Sequence, residues 1–548
     1  MRRLLAIVCC FLAASFISVQ AAESTHSAQT SSSALAPHAS VTTDSLLLEL
    51  TQVKLSKALP VLKQLEQVGG VKVLPLFETM LAGELYFVKS SKQLVGYKKV
   101  NGNKIVEDPF TATQITDLTK KQIKKIRVNN RLRVYLRGVI ARLQISHSDA
   151  EQRLSAVRSL LSDLDVSTVA TIQDARLSED NRDVQAMMDL ALAMHQTESN
   201  VAAERLAAVN VLADSLENDV RNRLTALAVH DPQKEVKAAA NKALDSINQR
   251  IEVYDFVDQL FFGLSLGSVL LLAAIGLAIT FGVMGVINMA HGEMIMLGAY
   301  TTYVVQLMMP NAIEYSLWVA IPLAFLVSGL VGVMIERGVI RFLHGRPLET
   351  LLATFGISLI LQQLVRSVFS PLNRQVETPE WMSGSLDINP VLSLTLNRLY
   401  ILAFALLVFG LLLIILRKTS LGLNVRAVSQ NRNMAKAMGI RTDWVDAMTF
   451  GLGSGIAGVA GVALSQLTNV GPNLGQAYII DSFMVVVFGG VGNLWGTLVA
   501  AFSLGIANKF LEPVTGAVLA SIFVLVFIIL FIQKRPKGLF PQKGRAAE

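Results

Sequence analysis

The sequence predicts an α-helical polytopic membrane protein with about 8–9 crossings, some of them broken or half helices, behind a mostly helical N-terminal extracytoplasmic domain. Three observations carry this expectation. Charged residues are dense before residue 255 and scarce after it, a series of long apolar runs follows that step, and the region before it contains a repeat. Residues 260–313 hold no Asp, Lys or Arg, and residues 447–508 hold only Asp481.

Residues 1–21 read as a signal peptide. Arg2 and Arg3 precede the apolar core LLAIVCCFLAASFISV, and Val19-Gln20-Ala21 offers a small-residue cleavage site. Retention of the apolar core as an anchor is the alternative. Cys9 and Cys10 are the only cysteines and both lie in this segment, so a cleaved chain would have neither disulfides nor thiolate metal sites. Residues 22–40 are Ser-, Thr- and Ala-rich without periodicity, as expected of a flexible linker.

Residues 41–150 suggest a small mixed region. LLLELTQVKLSKALPVLKQLEQV has helical spacing, whereas GELYFVKSS, QLVGYKKVNGNKI and RVYLRGVIARLQI alternate like strands, with a turn at Asn101-Gly102. Residues 151–250 repeat. RLSAVRSLLSDL begins at Arg153 and RLAAVNVLADSL at Arg205; DVQAMMDLAL begins at Asp183 and EVKAAANKAL at Glu235, so both offsets are 52. One register thus carries two matching helix pairs, which resemble stacked HEAT or armadillo hairpins, with a longer period than is usual for them. Such a unit serves either to dock a partner or as a spacer.

Within residues 255–535 the apolar runs place crossings near 257–282, 286–309, 316–336, 348–370, 399–416, 447–468, 479–490, 494–510 and 516–532. Starting outside, as a cleaved signal requires, nine crossings end inside. The loops agree: ERGVIRFLHGRP, the 417–441 segment and the 536–548 tail are basic, while the 371–390 loop has Arg374 against Glu377, Glu380 and Asp387. The expected location is a bacterial inner membrane, with the N-terminal domain periplasmic and the C-terminus cytoplasmic.

Two spans are interrupted, FGVMGVINMAHG and VFGGVGNLWG. Gly-interrupted segments in two halves point to a transport pathway, because broken helices free backbone groups that must face protein or water. The pore or gating candidates are therefore Asn288, His291 and Glu293 in the first break and Gly489, Gly490, Gly492 and Asn493 in the second. Intramembrane polar groups beside a water-filled path are one reading. The other has Asn288 capping a helix from residue 289 and Glu293 at its positive end, on the cytoplasmic side. One His and one Glu do not make a metal site.

The loop 422–448 has helical spacing at Val425, Val428, Met434, Ala435 and Met438 and a terminal Gly439, which suits either a short helix seated on another protein or an ordinary basic loop. The Gly-rich runs lack the Lys-Ser/Thr of a phosphate loop, and Gly451, Gly455, Gly458 and Gly461 suit close helix packing. No nucleophile constellation, cofactor motif or nucleic-acid patch is present, so an enzyme is not expected and uphill transport would need energy from a partner or an ion. An ion-coupled carrier would want several midplane acids, and a membrane-anchored scaffold has no need of paired Gly breaks.

INMAHGEMIMLGAY (287–300), RAVSQNRNMAKAMGIRTDWVDAMTFGLGSGIAGVAGVAL (426–464) and VFGGVGNLWGTLVAA (487–501) resemble the permease subunits of branched-chain amino acid ABC importers over about 255–540. With a signal peptide and a long extracytoplasmic extension, the chain looks like the urea-type permease B subunit of that family. The resemblance implies an importer with a second permease subunit, two cytoplasmic ATPase subunits and a periplasmic solute-binding protein, embedded in membrane lipid and without nucleic acid. It also implies that Arg426, Ala427, Met434, Ala435, Gly439 and Ile440 belong to the ATPase-coupling segment. Scarcity of charge in the spans fits neutral urea and zwitterionic amino acids alike.

Overall fold

The computed structural model describes residues 42–53, 55–100, 103–111, 113–115, 122–343 and 345–540. The expected signal, the linker, the Asn101-Gly102 turn and residues 541–548 of the tail lie outside them. The chain divides into two compact units, Met1–Gly69 and Gly70–Glu548. In the first, α1 (Thr43–Gln52) and α2 (Ala58–Gly69) pack together. Their apolar residues, Leu46 and Leu50 on one and Val61, Leu62 and Leu65 on the other, recur at helical spacing.

The second unit begins with α3 (Leu74–Leu81) and a four-stranded antiparallel sheet of β1 (Leu85–Val88), β2 (Leu94–Val100), β3 (Asn103–Glu107) and β4 (Ile123–Lys125), in the order β3-β2-β1-β4. Val88, Val95, Val106 and Ile123 form its core. One strand-like reading is corrected here: RVYLRGVIARLQI lies in α4 (Asn130–Gln144). Asn129 caps that helix by accepting from Leu132 N at 2.9 Å, and Leu132, Leu136, Val139 and Ile140 bury a single helical stripe. Their helical period outweighs the local alternation.

Six helices follow: α5 (Ala150–Leu160), α6 (Val166–Ser178), α7 (Arg182–Gln196), α8 (Ala202–Leu212), α9 (Asn218–His230) and α10 (Lys234–Met284). The last three begin 52 residues after the first three. Each copy therefore has three helices, not the two that the sequence suggested, because the apolar residues of α6 gather on no single face. The correspondence extends to side chains. Arg153 Nε meets Glu179 Oε2 at 2.7 Å, and Arg205 Nε meets Asp231 Oδ2 at 2.7 Å. Arg153 Nη1 also donates to His147 O at 2.8 Å, and Arg205 Nη1 to Ser199 O at 2.9 Å. All six helices contribute to one apolar core.

The boundary expected at 250–255 is not a boundary in the backbone. α10 is a single helix of 51 residues, about 77 Å long at 1.5 Å per residue. Val236, Ala240, Ala243 and Ile247 pack in the repeat core, while residues from Val269 onward pack among membrane helices. No Gly or Pro occurs between Lys234 and Phe262 to interrupt it.

The membrane region continues with α11 (His291–Met308), α12 (Ile313–Gly338), α13 (Pro347–Phe369), α14 (Leu396–Lys418), the short α15 (Ser420–Gln430) and α16 (Arg432–Ala437), α17 (Thr442–Ser465), α18 (Leu474–Gly489), α19 (Leu494–Thr515) and α20 (Ala517–Lys534). A helix stands at each of the nine expected crossings, and seven are long and apolar enough to span a bilayer. α11 and α18 are the other two. α17 is central, packing against α10, α11 and α12. A Cβ on Gly453 would come within 2.6 Å of Gly276 O, one on Gly458 within 2.6 Å of Ala324 O, and one on Gly461 within 2.7 Å of Ala299 N. Backbones touch where these glycines lie.

Two outcomes follow. Gly458→Val should lower the thermal stability of the detergent-purified protein by roughly 1–3 kcal/mol through overpacking, whereas Gly356→Val, with nothing within 4 Å of a Cβ, should change it by about 0.5 kcal/mol or less. The repeat should also be acid-sensitive. Hydrogen bonds from Arg153 and Arg205 hold the Glu179 and Asp231 carboxyls below their ordinary values of 4.5 and 3.8. Their stabilisation is present above those values and lost as pH falls through the lower folded ones. The melting temperature should fall as pH drops from about 5 to about 3, and Asp231→Asn should flatten that dependence.

Candidate functional site

α10 ends at Gly285, whose φ of +67° turns the chain out of the helix. The next residues fold back along the helix they have just left. His291 Nε2 donates to Ala273 O at 2.8 Å, and its ring lies against Gly276. Ala273 is eleven residues before Met284, so His291 sits about 16 Å along α10 from its end. Ser328 Oγ, in the middle of α12, donates to Met294 O at 3.0 Å. α11 therefore starts inside the membrane region.

This corrects the placement of Asn288, His291 and Glu293 at the cytoplasmic end of a crossing. Loop charge locates the ends of spans but carries no signal for a connection that re-enters. The capping expectation changes too. Asn288 Oδ1 accepts from Ala290 N at 3.0 Å, shaping the turn, and α11 begins at His291 with no side-chain cap.

Glu293 points at α13. Ser358 Oγ and Gln362 Nε2 both donate to its Oε1, at 2.9 and 2.8 Å. Thr354 Oγ1 accepts from Met289 N at 3.2 Å. Thr350, Thr354, Ser358 and Gln362 recur every four residues and are all buried, while Leu352 and Ile360 on the other side of α13 are exposed. Sequence reading missed this stripe, although the period is visible in TLLATFGISLILQ. Several buried atoms along the seam have no partner: Glu293 Oε2, Asn288 Nδ2, His291 Nδ1 and Tyr300 Oη. Buried polar groups are normally paired, so this concentration is unusual. With Nε2 donating, His291 Nδ1 is left as an acceptor. The seam thus offers unpaired acceptors at His291 and Glu293 and unpaired donors at Asn288 and Tyr300, facing Ser358 and Gln362 in the middle of α13. Among the described residues, no cluster of His, Cys, Asp or Glu suits a metal ion.

The second break lies elsewhere. Asn493 Oδ1 accepts from Trp495 N and Gly496 N, at 3.1 and 3.3 Å, and caps α19, while its Nδ2 donates to Phe540 O at 3.1 Å. Gly489 lies against Gly496, and Gly490 against Phe540 and Gly538. Gly492 touches Gly282, two residues before the end of α10. The two breaks share α10 but do not converge on one point: the first is deep, and the second is a capped turn at the Met284 end, sealed by residues 535–540.

The 422–448 segment folds as a reversal. Arg426 Nη1 donates to Leu416 O, bracing α15 against the end of α14, and Ala427 packs beside it. Asn431 caps α16 through Met434 N at 2.9 Å. Ala435 is buried with Val425, Val428 and Val445, whereas Met434 and Met438 are exposed. Gly439 has φ +87° and nothing within 4 Å of a Cβ, so backbone conformation rather than space requires glycine. Gly439 N and Ile440 N donate to Lys436 O and Ala435 O, at 3.1 Å each, ending the helix with a left-handed cap.

Residues 259–532, half of the chain, match the family model described as branched-chain amino acid transport system / permease component. The high-affinity branched-chain amino acid transport system permease protein BraD of Pseudomonas aeruginosa is 30% identical over 297 residues, covering 53% of this chain and 96% of that protein. Its counterpart LivH of Salmonella typhimurium is 30% identical over 296 residues, covering 52% and 95%. The ribose import permease protein RbsC of Bacillus subtilis is 31% identical over 113 residues, covering 19% of this chain and 35% of that protein. No solved structure matches the chain. A helix at each of the nine expected crossings, seven of them long and apolar enough to span a membrane, and relatives matched over nearly their whole length agree: the chain belongs to the branched-chain amino acid transport permease family, as a multi-pass membrane permease subunit and not itself an enzyme.

Proposed function

We propose that the chain is the transmembrane permease subunit of an ATP-driven importer for urea, receiving solute from a periplasmic binding protein and working with a second permease and two cytoplasmic ATPase subunits. The observation that carries the solute class is the Glu293–Ser358–Gln362 seam. A helix N-terminus attracts anions, but the first turn of α11 already holds Glu293. A solute carboxylate arriving there meets another carboxyl group rather than a cation. A neutral planar amide meets the free Glu293 oxygen for its N–H groups and Ser358 or Gln362 for its carbonyl. The chain's resemblance to the urea-type subunits, with their N-terminal extension, supports the same reading. A second reading, transport of branched-chain amino acids, is favoured by the likeness to BraD and LivH, which are branched-chain amino acid transport permeases.

In this proposal residues 1–21 export the N-terminal region, 22–40 link it, and residues up to about 250 stand outside the cytoplasm as a mixed region and an armadillo-like repeat. The basic loops and the 536–548 tail face the cytoplasm. The segment from Arg426 to Ile440 meets the ATPase, presenting Met434 and Met438 from a helix whose end is fixed by Gly439. Asn288 and His291 shape the entrance to α11, and the turn at Gly489, Gly490, Gly492 and Asn493 serves as a closed gate rather than as solute contact.

Uptake of labelled urea and leucine, in cells with and without this chain, tests the reading. Urea uptake should be lost and leucine uptake kept, and the reverse pattern rejects urea. Glu293→Ala should cut urea uptake about tenfold or more, the effect of losing roughly one buried hydrogen bond, with membrane insertion unchanged. Gly439→Asp should leave insertion intact and abolish ATP-driven import; surviving import excludes 422–448 as the coupling element.

A further inference from the structure

The seam that holds Glu293 is covered at one end by a thin apolar layer. α13 starts just after the basic 337–346 loop and ends at Phe369, so in the proposed orientation Phe369 marks its outer end. Phe369 is seven residues beyond Gln362 on α13, and Tyr300 is seven beyond Glu293 on α11, about 10 Å along each helix. At that level the Tyr300 and Phe369 rings lie 4.8 Å apart. Tyr300 is buried in one apolar cluster with Met296, Val365, Val376 and Val470. Val470 belongs to the connection between α17 and α18, and Gly475, five residues on, lies against Gly292, the neighbour of Glu293. A strap, residues 370–376, joins this layer to that connection. Arg374 N donates to Val470 O at 2.7 Å and Val470 N to Arg374 O at 2.8 Å. Arg374 Nη2 donates back to Phe369 O at 3.0 Å, and Arg366 Nη2 donates to Asn473 Oδ1 at 2.8 Å. Leu372 in the strap is exposed.

Three features do not suit a permanent plug. Tyr300 Oη is buried without a partner, and phenylalanine would fill the same space without that cost. Ser370, where α13 passes into the strap, has φ +78° and ψ 155°, a backbone conformation that belongs to glycine and persists in other residues only where the surroundings impose it. The clamp on Val470 is an isolated bridge of two hydrogen bonds, not part of a sheet. We propose that the strap and the Tyr300–Phe369 pair form the outer gate of the seam. Release of Arg374 from Val470 lets Ser370 leave its strained conformation and carries Phe369 away from Tyr300. The Tyr300 hydroxyl then faces the opened route, where a neutral amide on its way to Glu293 pairs with it. This rests on the reading of the seam as the place of solute contact.

The test uses cells carrying the complete importer, with Cys9→Ser and Cys10→Ser in this chain and both labelled urea and labelled leucine as solutes. Arg374 and Val470 exchange both backbone hydrogen bonds, which sets their Cα atoms about 5.5 Å apart, within the span a disulfide bridges. Arg374→Cys with Val470→Cys should import when reduced, lose at least tenfold of its uptake on oxidation with copper phenanthroline, and recover it with dithiothreitol. Each single variant should be indifferent to oxidation. A second measurement does not need transport. Ser358→Cys, beneath the layer, should react slowly with a membrane-impermeant methanethiosulfonate added outside, and adding Tyr300→Ala should speed that reaction at least fivefold. Undiminished uptake by the cross-linked pair, or Ser358→Cys labelling that Tyr300→Ala leaves unchanged, overturns the gate; if the reduced pair does not import, the labelling decides alone. Where the gate fails while Glu293→Ala still cuts uptake, the seam reading stands. Where Glu293→Ala imports normally, the seam reading itself is at fault.

Discussion

The membrane region depends on α17 being approached by other backbones on several sides. Lipid tails are as apolar as leucine, so helices in a bilayer gain little from burying large side chains against each other and more from close packing. Gly453 admits α10, Gly458 and Gly461 admit α11, and Gly451, Gly455 and Gly458 admit α12. This economy leaves other faces bare. α13 and α20 expose long rows of Leu, Ile, Val and Phe, as a lipid-facing or subunit-facing surface does.

Tight packing around α17 also fixes the first helix break. A connection that re-enters the membrane must satisfy its backbone within protein. Here Asn288 Oδ1, Thr354 Oγ1 and the carbonyls of Asn288 and Ala290 take the N–H groups of Met289, Ala290, His291 and Glu293. The backbone is served and the side chains are not: Asn288, His291 and Glu293 each keep one buried polar atom unpaired. A purely structural staple would gain by pairing those atoms. Their persistence in one seam, opposite the donors of α13, is the physical basis for assigning solute contact to the first break rather than the second, where Asn493 uses both ends of its amide.

Much of this was legible before any coordinates. Composition located the membrane region, and nine apolar runs located nine helices. The small-residue spacing at Gly451, Gly455, Gly458 and Gly461 identified a packing face, and the 52-residue period located the repeat. What was not legible has physical causes. α6 lacks an apolar stripe, so each copy lost one helix. RVYLRGVIARLQI satisfies both a period of two and a period of four, and tertiary burial chose the helix. The depth of Asn288, His291 and Glu293 depends on a fold-back that has no local signature. The α13 stripe was available in the sequence but diluted, since four hydroxyl and amide residues scarcely lower the hydropathy of a long helix.

The continuity of α10 links the two halves of the second unit mechanically. A hinge would need Gly, Pro or an unsatisfied turn between the repeat and the membrane, and none lies between Lys234 and Phe262. The N-terminal third of α10 is fixed in the repeat by Val236, Ala240, Ala243 and Ile247, and its C-terminal third is fixed against α17 and α19 through Gly276 and Gly267. A rotation of the repeat is therefore transmitted to Ala273, whose carbonyl holds His291, instead of being absorbed in a linker. His291 in turn sets where α11 begins, and with it the position of Glu293 relative to Ser358 and Gln362. A flexible tether would serve a domain that only captures or spaces. A rigid helix that runs past the seam at Ala273 suits a domain whose orientation matters there.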